Sequence, residues 1–161
     1  MSSPEGSTVT FRRVPSGVRP LALVRFARRL QRELCGGRPF DCLITGDAEL
    51  RRLNRDFRGR DYSTDVLSFP PTPSPAYAVG QALSPANHLG DIAISLPRAR
   101  SQAREFAHHT ELEIRILMLH GVLHLLGMDH EGAAGSRMAR AEKRWRARLR
   151  LPVGLIERAG A

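Results

Sequence analysis

The sequence predicts an α+β fold: a small mixed β-sheet of about four strands surrounded by about five helices. Two observations carry this. Over the first half of the chain, short strand-like runs are interleaved with segments of helical spacing. Two strand-like runs then follow one another with no helix between them, which calls for an antiparallel neighbour in an otherwise crossover-connected sheet. At 161 residues the chain fits one domain with an adequate core. Residues 8–151 are expected to form that domain, with residues 1–7 and 152–161 as tails.

The elements follow in order. Thr8 to Val14 alternates, with Val9 and Phe11 on one side, and reads as a first strand. Pro20 suits a first helical turn. Leu23, Ala27, Leu30 and Leu34 recur at helical spacing, and Gly36-Gly37 ends that helix. Phe40 to Thr45 reads as a second strand. Asp47 is expected to cap a helix that carries Leu50, Leu53 and Phe57 inward. Asp65 to Phe69 and Asp91 to Leu96 are the adjacent strands, joined by a Pro-, Ala- and Ser-rich segment from Pro70 to Leu89 that reads as a long, irregular hairpin connection. Connections of that length are functional or mobile. Pro97 begins a further helix, ending near His109. Thr110 and Glu113 are expected to form a capping box for a central helix. A last helix runs from about Ala134 to Leu149, with Met138, Ala141, Trp145 and Leu149 inward and a strongly basic remainder.

The central helix carries the most informative residues. The run from Leu119 to His130 contains His120, His124 and His130. The first two are four apart and share a helix face. Gly127 can end the helix in a left-handed conformation and turn the chain so that His130 comes beside them. Three converging imidazoles with an open fourth position are the ligand set of a catalytic zinc, one ion per chain. From Ile116 to Met128 every residue except the two histidines is apolar or Gly. Such a helix is expected to be buried, and a buried imidazole needs a partner. The spacing matches that of metzincin proteases except that Gly121 stands where those enzymes place the general-base Glu. A metallopeptidase is therefore the least favoured reading. Asp129 either orients a ligand imidazole or shapes the turn. His108 and His109 are expected to complement the end of the preceding helix rather than supply a fourth ligand. His88 has no evident partner.

The net charge is +9 and the pI about 11.2, with 25 basic side chains of which only Lys143 is a lysine. This suits a polyanionic partner, and arginine adds bidentate phosphate geometry. Cys35 and Cys42 lack metal-binding spacing, and Cys42 reads as a small core residue. No apolar run reaches the roughly 18 residues of a membrane span, and the N-terminal residues do not read as a signal peptide. A soluble, cytoplasmic protein is expected, with no membrane partner and no DNA.

Three blocks in order carry a family resemblance. They are Leu53-Asn54 with Phe57-Arg58 and Thr64-Asp65-Val66-Leu67-Ser68-Phe69, then Leu89-Gly90-Asp91-Ile92-Ala93-Ile94-Ser95, then His120 to His130. In these the chain resembles the YbeY family of bacterial rRNA maturation factors, zinc-dependent, single-strand-specific endoribonucleases. The resemblance implies a small α+β domain with a zinc cleft at the central helix and zinc ligands at His120, His124 and His130. It also implies a functional arginine at Arg58 and action on single-stranded rRNA precursors with the small ribosomal subunit and assembly factors. Met128 stands where Tyr is common in the family. A non-catalytic, zinc-containing assembly factor that binds RNA is the alternative.

On this reading His120 and Arg58 are the catalytic candidates. A guanidinium aimed at the non-bridging oxygens stabilises the charge that phosphodiester cleavage concentrates there. The competing role for Arg58 is a surface ion pair with Asp56 or Asp61. Asp65 and Asp91 open strands, and both read as structural. No general base stands out, and RNA carries its own 2′-hydroxyl nucleophile; attack by that hydroxyl or by zinc-bound water are both open.

Overall fold

The structure, a computed structural model, describes residues 6–71, 87–128 and 132–152, with residues 132–136 described by their backbone alone. Among them are four strands, β1 (Thr8–Phe11), β2 (Phe40–Thr45), β3 (Val66–Phe69) and β4 (Gly90–Ser95). Five helices accompany them: α1 (Pro20–Glu33), α2 (Asp47–Arg58), α3 (Leu96–Glu105), α4 (Thr110–Leu125) and α5 (Gly132–Leu149). The strands form one sheet in the order β1-β2-β4-β3. β1, β2 and β4 are parallel, and β3 pairs antiparallel with β4 at one edge. The sheet is therefore mixed, as the element order predicts. Most of the connection between β3 and β4, residues 72–86, lies outside the described residues.

Strand alternation divides the interior into two layers. Cys42, Ile44, Ile92 and Ile94 face one side, where Leu23, Phe26 and Leu30 of α1 and nearly all of α4 complete the main core. Ala93 and Leu67 face the other side and pack with Leu50 of α2, with Leu53 and Phe69 half-buried at the margin. α4 is buried on every side from Ile116 to Leu123, which is why it reads as apolar all round. No described helix is long and apolar enough to cross a membrane.

Three local expectations are corrected. Asp47 does not cap α2; Gly46 holds that position. The Asp47 carboxylate instead accepts from Ser95 Oγ at 2.5 Å and Ser63 Oγ at 3.1 Å, tying α2 to the end of β4. The Thr110–Glu113 capping box is absent because the N-cap is His109, and Glu113 turns to His108 at 2.6 Å. Phe57 is not inward: it is 71% exposed, at the open end of a stripe that starts with buried Leu50 and passes through half-buried Leu53.

Gly121 sets how closely α4 lies on the sheet. A Cβ there would sit 3.0 Å from Ile92 Cγ2 and 3.2 Å from Ser68 Oγ. The Gly121 carbonyl accepts from Ser68 Oγ at 2.9 Å, fastening the helix to β3. The residue that separates this motif from a protease thus faces packed sheet, where a longer side chain has no room. Gly121→Glu is expected to destabilise the fold by roughly 3 kcal/mol or more, from overpacking and burial of a charge. Thermal or denaturant unfolding checks this, and an unchanged midpoint would contradict the packing role.

Candidate metal centre

α4 ends one residue beyond His124. Gly127 has φ +89°, and the amides of Gly127 and Met128 return to the carbonyls of His124 (2.9 Å) and Leu123 (3.1 Å). This is the left-handed stop that the sequence predicts. The turn beyond it, with Asp129, His130 and Glu131, lies outside the described residues. The expected convergence of His130 on the pair therefore has no structural description.

His120 and His124 do meet. Their Nε2 atoms are 3.2 Å apart, and the rings stand edge to face with centroids 4.8 Å apart. His120 is buried (4% exposed), and its other nitrogen, Nδ1, lies 3.0 Å from Glu142 Oε2 on α5. Glu142 is itself 1% exposed. With the Nδ1 proton donated to that carboxylate, the His120 lone pair is on Nε2, the side that faces His124. The sequence reading overlooked Glu142. Its signal was present: Glu142 lies four residues after Met138 and three before Trp145, a carboxylate on the inward stripe of a helix that is otherwise basic outside.

Arg58 closes α2 and is exposed. The ion-pair alternative does not hold. Asp56 pairs with Arg55 at 3.3 Å and Asp61 with Arg51 at 2.8 Å. Among the described residues Arg58 has no carboxylate partner, and no hydrogen bond joins it to either histidine. Asp65 is structural, accepting from the Val66 amide at 2.8 Å and from Gln102 Nε2 at 3.1 Å. His108 is held by Glu113 and is no ligand candidate.

His88, left without a partner by the sequence, has one. Its Nε2 lies 3.1 Å from Asp41 Oδ2. Asp41 and Asp91 are register partners on β2 and β4, and with His88 they bring three donor atoms within 4.8 Å of one another. This group could hold a metal ion. It lies at the start of the parallel strands, on the side of the sheet away from Cys42 and Ile92 and hence from α4. Cys35 and Cys42 are buried free thiols; burial pushes the Cys35 thiol up to about 12 and that of Cys42 up as well, so neither offers a thiolate near neutrality.

The comparisons with known proteins agree with this architecture. The family model described as Endoribonuclease YbeY matches residues 24–150. The chain belongs to the YbeY family. It is 66% identical over 158 residues to the endoribonuclease YbeY of Solibacter usitatus, covering 98% of each chain. It is 43% identical over 143 residues to that of Koribacter versatilis, covering 89% of this chain and 86% of that one. The solution structure of TM1509 from Thermotoga maritima has the same fold. Its TM-score is 0.50 at 23% identity, covering 89% of this chain and 91% of that one. The sequence blocks fall on α2 with β3, on β4 and, as far as Met128, on α4 and the turn that ends it.

One pH effect follows from the surroundings of Asp91 at the start of β4. The Asp91 carboxyl is raised above its ordinary value, chiefly by burial, with the charge of His88 opposing and that of Asp41 adding. The native state then holds this proton more tightly than the unfolded chain does. That stabilisation is complete below the unfolded value of about 3.9 and is lost as pH rises through the folded one. Asp91→Asn should therefore gain stability relative to wild type at pH 7 compared with pH 3. Denaturant midpoints at the two pH values measure it, and a difference independent of pH would contradict the shift.

Proposed function

We propose that this chain is a zinc-dependent endoribonuclease that cuts single-stranded RNA. On this reading it matures the ends of small-subunit ribosomal RNA in the cytoplasm, in association with the small subunit and its assembly factors. The observation that carries the proposal is the meeting of a buried imidazole, His120, with the half-buried His124, backed by the buried Glu142 carboxylate. Names of the relatives support RNA cleavage, and the net charge of +9 suits an RNA partner.

The donor set fits zinc. Two imidazole nitrogens on one tetrahedral zinc, each at 2.0–2.1 Å, are about 3.3 Å apart, and the His120 and His124 Nε2 atoms are separated by 3.2 Å. Glu142 on Nδ1 supplies the carboxylate behind the imidazole that zinc ligands commonly have. His120 and His124 would hold the ion, with His130 as the third ligand implied by the motif. When bound, zinc supplies Lewis acidity toward a phosphoryl oxygen and lowers the pKa of water.

The chain's own residues do the rest. Glu142 keeps the His120 proton on Nδ1 and fixes the ring plane. Gly121 leaves the protease base absent and lets α4 lie against β3. Arg58, exposed and without a carboxylate among the described residues, is available to a phosphate. Its planar guanidinium can engage two oxygens of a phosphodiester. It stabilises the charge that grows on those oxygens more than the ground state's.

His124→Ala is expected to abolish cleavage of a single-stranded RNA while the fold survives; cutting at the wild-type rate would overturn the proposal. Arg58→Ala should lower kcat by roughly 10²–10³-fold with zinc content unchanged. Glu142→Gln should weaken zinc affinity about 10–100-fold, read by competition with a chelator. Equal affinity in the variant would remove Glu142 from the centre.

A further inference from the structure

The surface where α2 leaves the sheet carries an unexplained aromatic group. Phe57 is 71% exposed and Tyr62 51% exposed. Phe57 meets Phe69 edge to face, with ring centroids 5.5 Å apart and planes at 61°. A helix that placed Phe57 with Leu50 and Leu53 would bury it. Here the stripe runs from a fully buried Leu50 through a half-buried Leu53 to an open ring.

The group is held rigidly. Asn54, 1% exposed, donates from Nδ2 to the Tyr62 carbonyl at 2.8 Å and accepts the Arg60 amide on its own carbonyl at 3.2 Å. Those two bonds fix the turn after α2, and the Nδ2 bond, the one made by the side chain, gives a reason for the Asn that follows Leu53 in the first motif block. Two cations border the rings. Arg60 donates to Tyr62 Oη at 3.0 Å, and Arg58 is close enough, with Arg60, to lower the Tyr62 phenol. Among the described residues neither guanidinium has a carboxylate partner.

The place of the group also matters. Phe69 lies on β3, the edge strand. Its neighbour Ser68 points to the opposite face and bonds Gly121, which adjoins His120. The two faces of one short edge strand thus carry the Phe57–Phe69 contact and the seam with α4, the helix that bears the histidine pair.

We propose that Phe57, buttressed edge to face by Phe69, is a stacking platform for an unpaired base of an RNA strand bound at the β3 edge, with Arg58 and the Arg60–Tyr62 pair after α2 supplying further cationic and aromatic contacts. The proposal rests on the endoribonuclease reading and names the contact that selects single strands. Every base has a π-face, so an aromatic shelf beside guanidinium groups binds any single strand with little sequence preference. In a duplex those faces are stacked on each other and unavailable. Charge complementarity favours a nucleic acid over a protein partner, since the unpaired charges at the rim are both positive.

The test separates binding from cleavage. His124→Ala protein serves as the background, and fluorescence anisotropy reads the affinity for a labelled single-stranded RNA, a duplex RNA and an abasic strand of equal length. In that background Phe57→Ala should weaken single-strand binding about tenfold or more, leave duplex and abasic binding within twofold, and be rescued by Phe57→Trp but not by Phe57→Leu. Phe57 is exposed, so an unchanged unfolding midpoint is expected and confirms folded protein. Single-strand affinity within twofold of the background, or equal losses on all three ligands, would overturn the platform. So would rescue by leucine, which marks a merely apolar contact. A protein that binds single strands through Phe57 yet never cuts them would defeat the enzyme reading and leave the platform standing.

Discussion

A hydrogen bond between Glu142 and His120, formed in the interior between α5 and α4, is the constraint on which the rest of the site depends. Neither group could be buried alone without a large desolvation cost. Together they fix the tautomer of His120 and turn its Nε2 toward His124. The bond also explains the two helices. α4 must be apolar on all sides because it is the central layer, and α5 must be amphipathic because one stripe delivers Met138, Ala141 and Glu142 to α4 while the outer face carries arginines.

The sheet edge is the second organising feature. β3 is short and pairs on one side only. Its inward Ser68 fastens α4 through Gly121, and its other face supports Phe69 and the end of α2. The glycine that distinguishes this histidine motif from a peptidase therefore has a packing reason as well as a chemical one.

Much of this was legible in the sequence. The four strands and five helices among the described residues were all expected, most from alternating or helical spacing and α4 from an unbroken apolar run with two histidines four apart. Spacing paired His120 with His124, since four residues on a helix place side chains on one face. What failed were features set by tertiary placement. Phe57 has helical spacing with Leu50 and Leu53, and nothing local reveals that its ring is left exposed at the end of α2. The Asp41–Asp91 pairing depends on parallel register between strands separated by some fifty positions in sequence, so His88 looked isolated. Glu142 was visible on an apolar stripe but was passed over among many charged neighbours. Thr110 and Glu113 had the right capping pattern, yet the His108–Glu113 bond won because it satisfies a fully buried carboxylate.

Among the described residues, two places offer metal donors, and they differ in chemistry: imidazoles on α4, and two carboxylates with one imidazole at the starts of β2 and β4. X-ray absorption at the zinc edge of protein loaded with one equivalent of zinc distinguishes them directly. An ion at the histidine motif predicts three imidazole nitrogens at about 2.0–2.1 Å. An oxygen-dominated shell with a single imidazole would place the ion at Asp41, His88 and Asp91 and contradict the account.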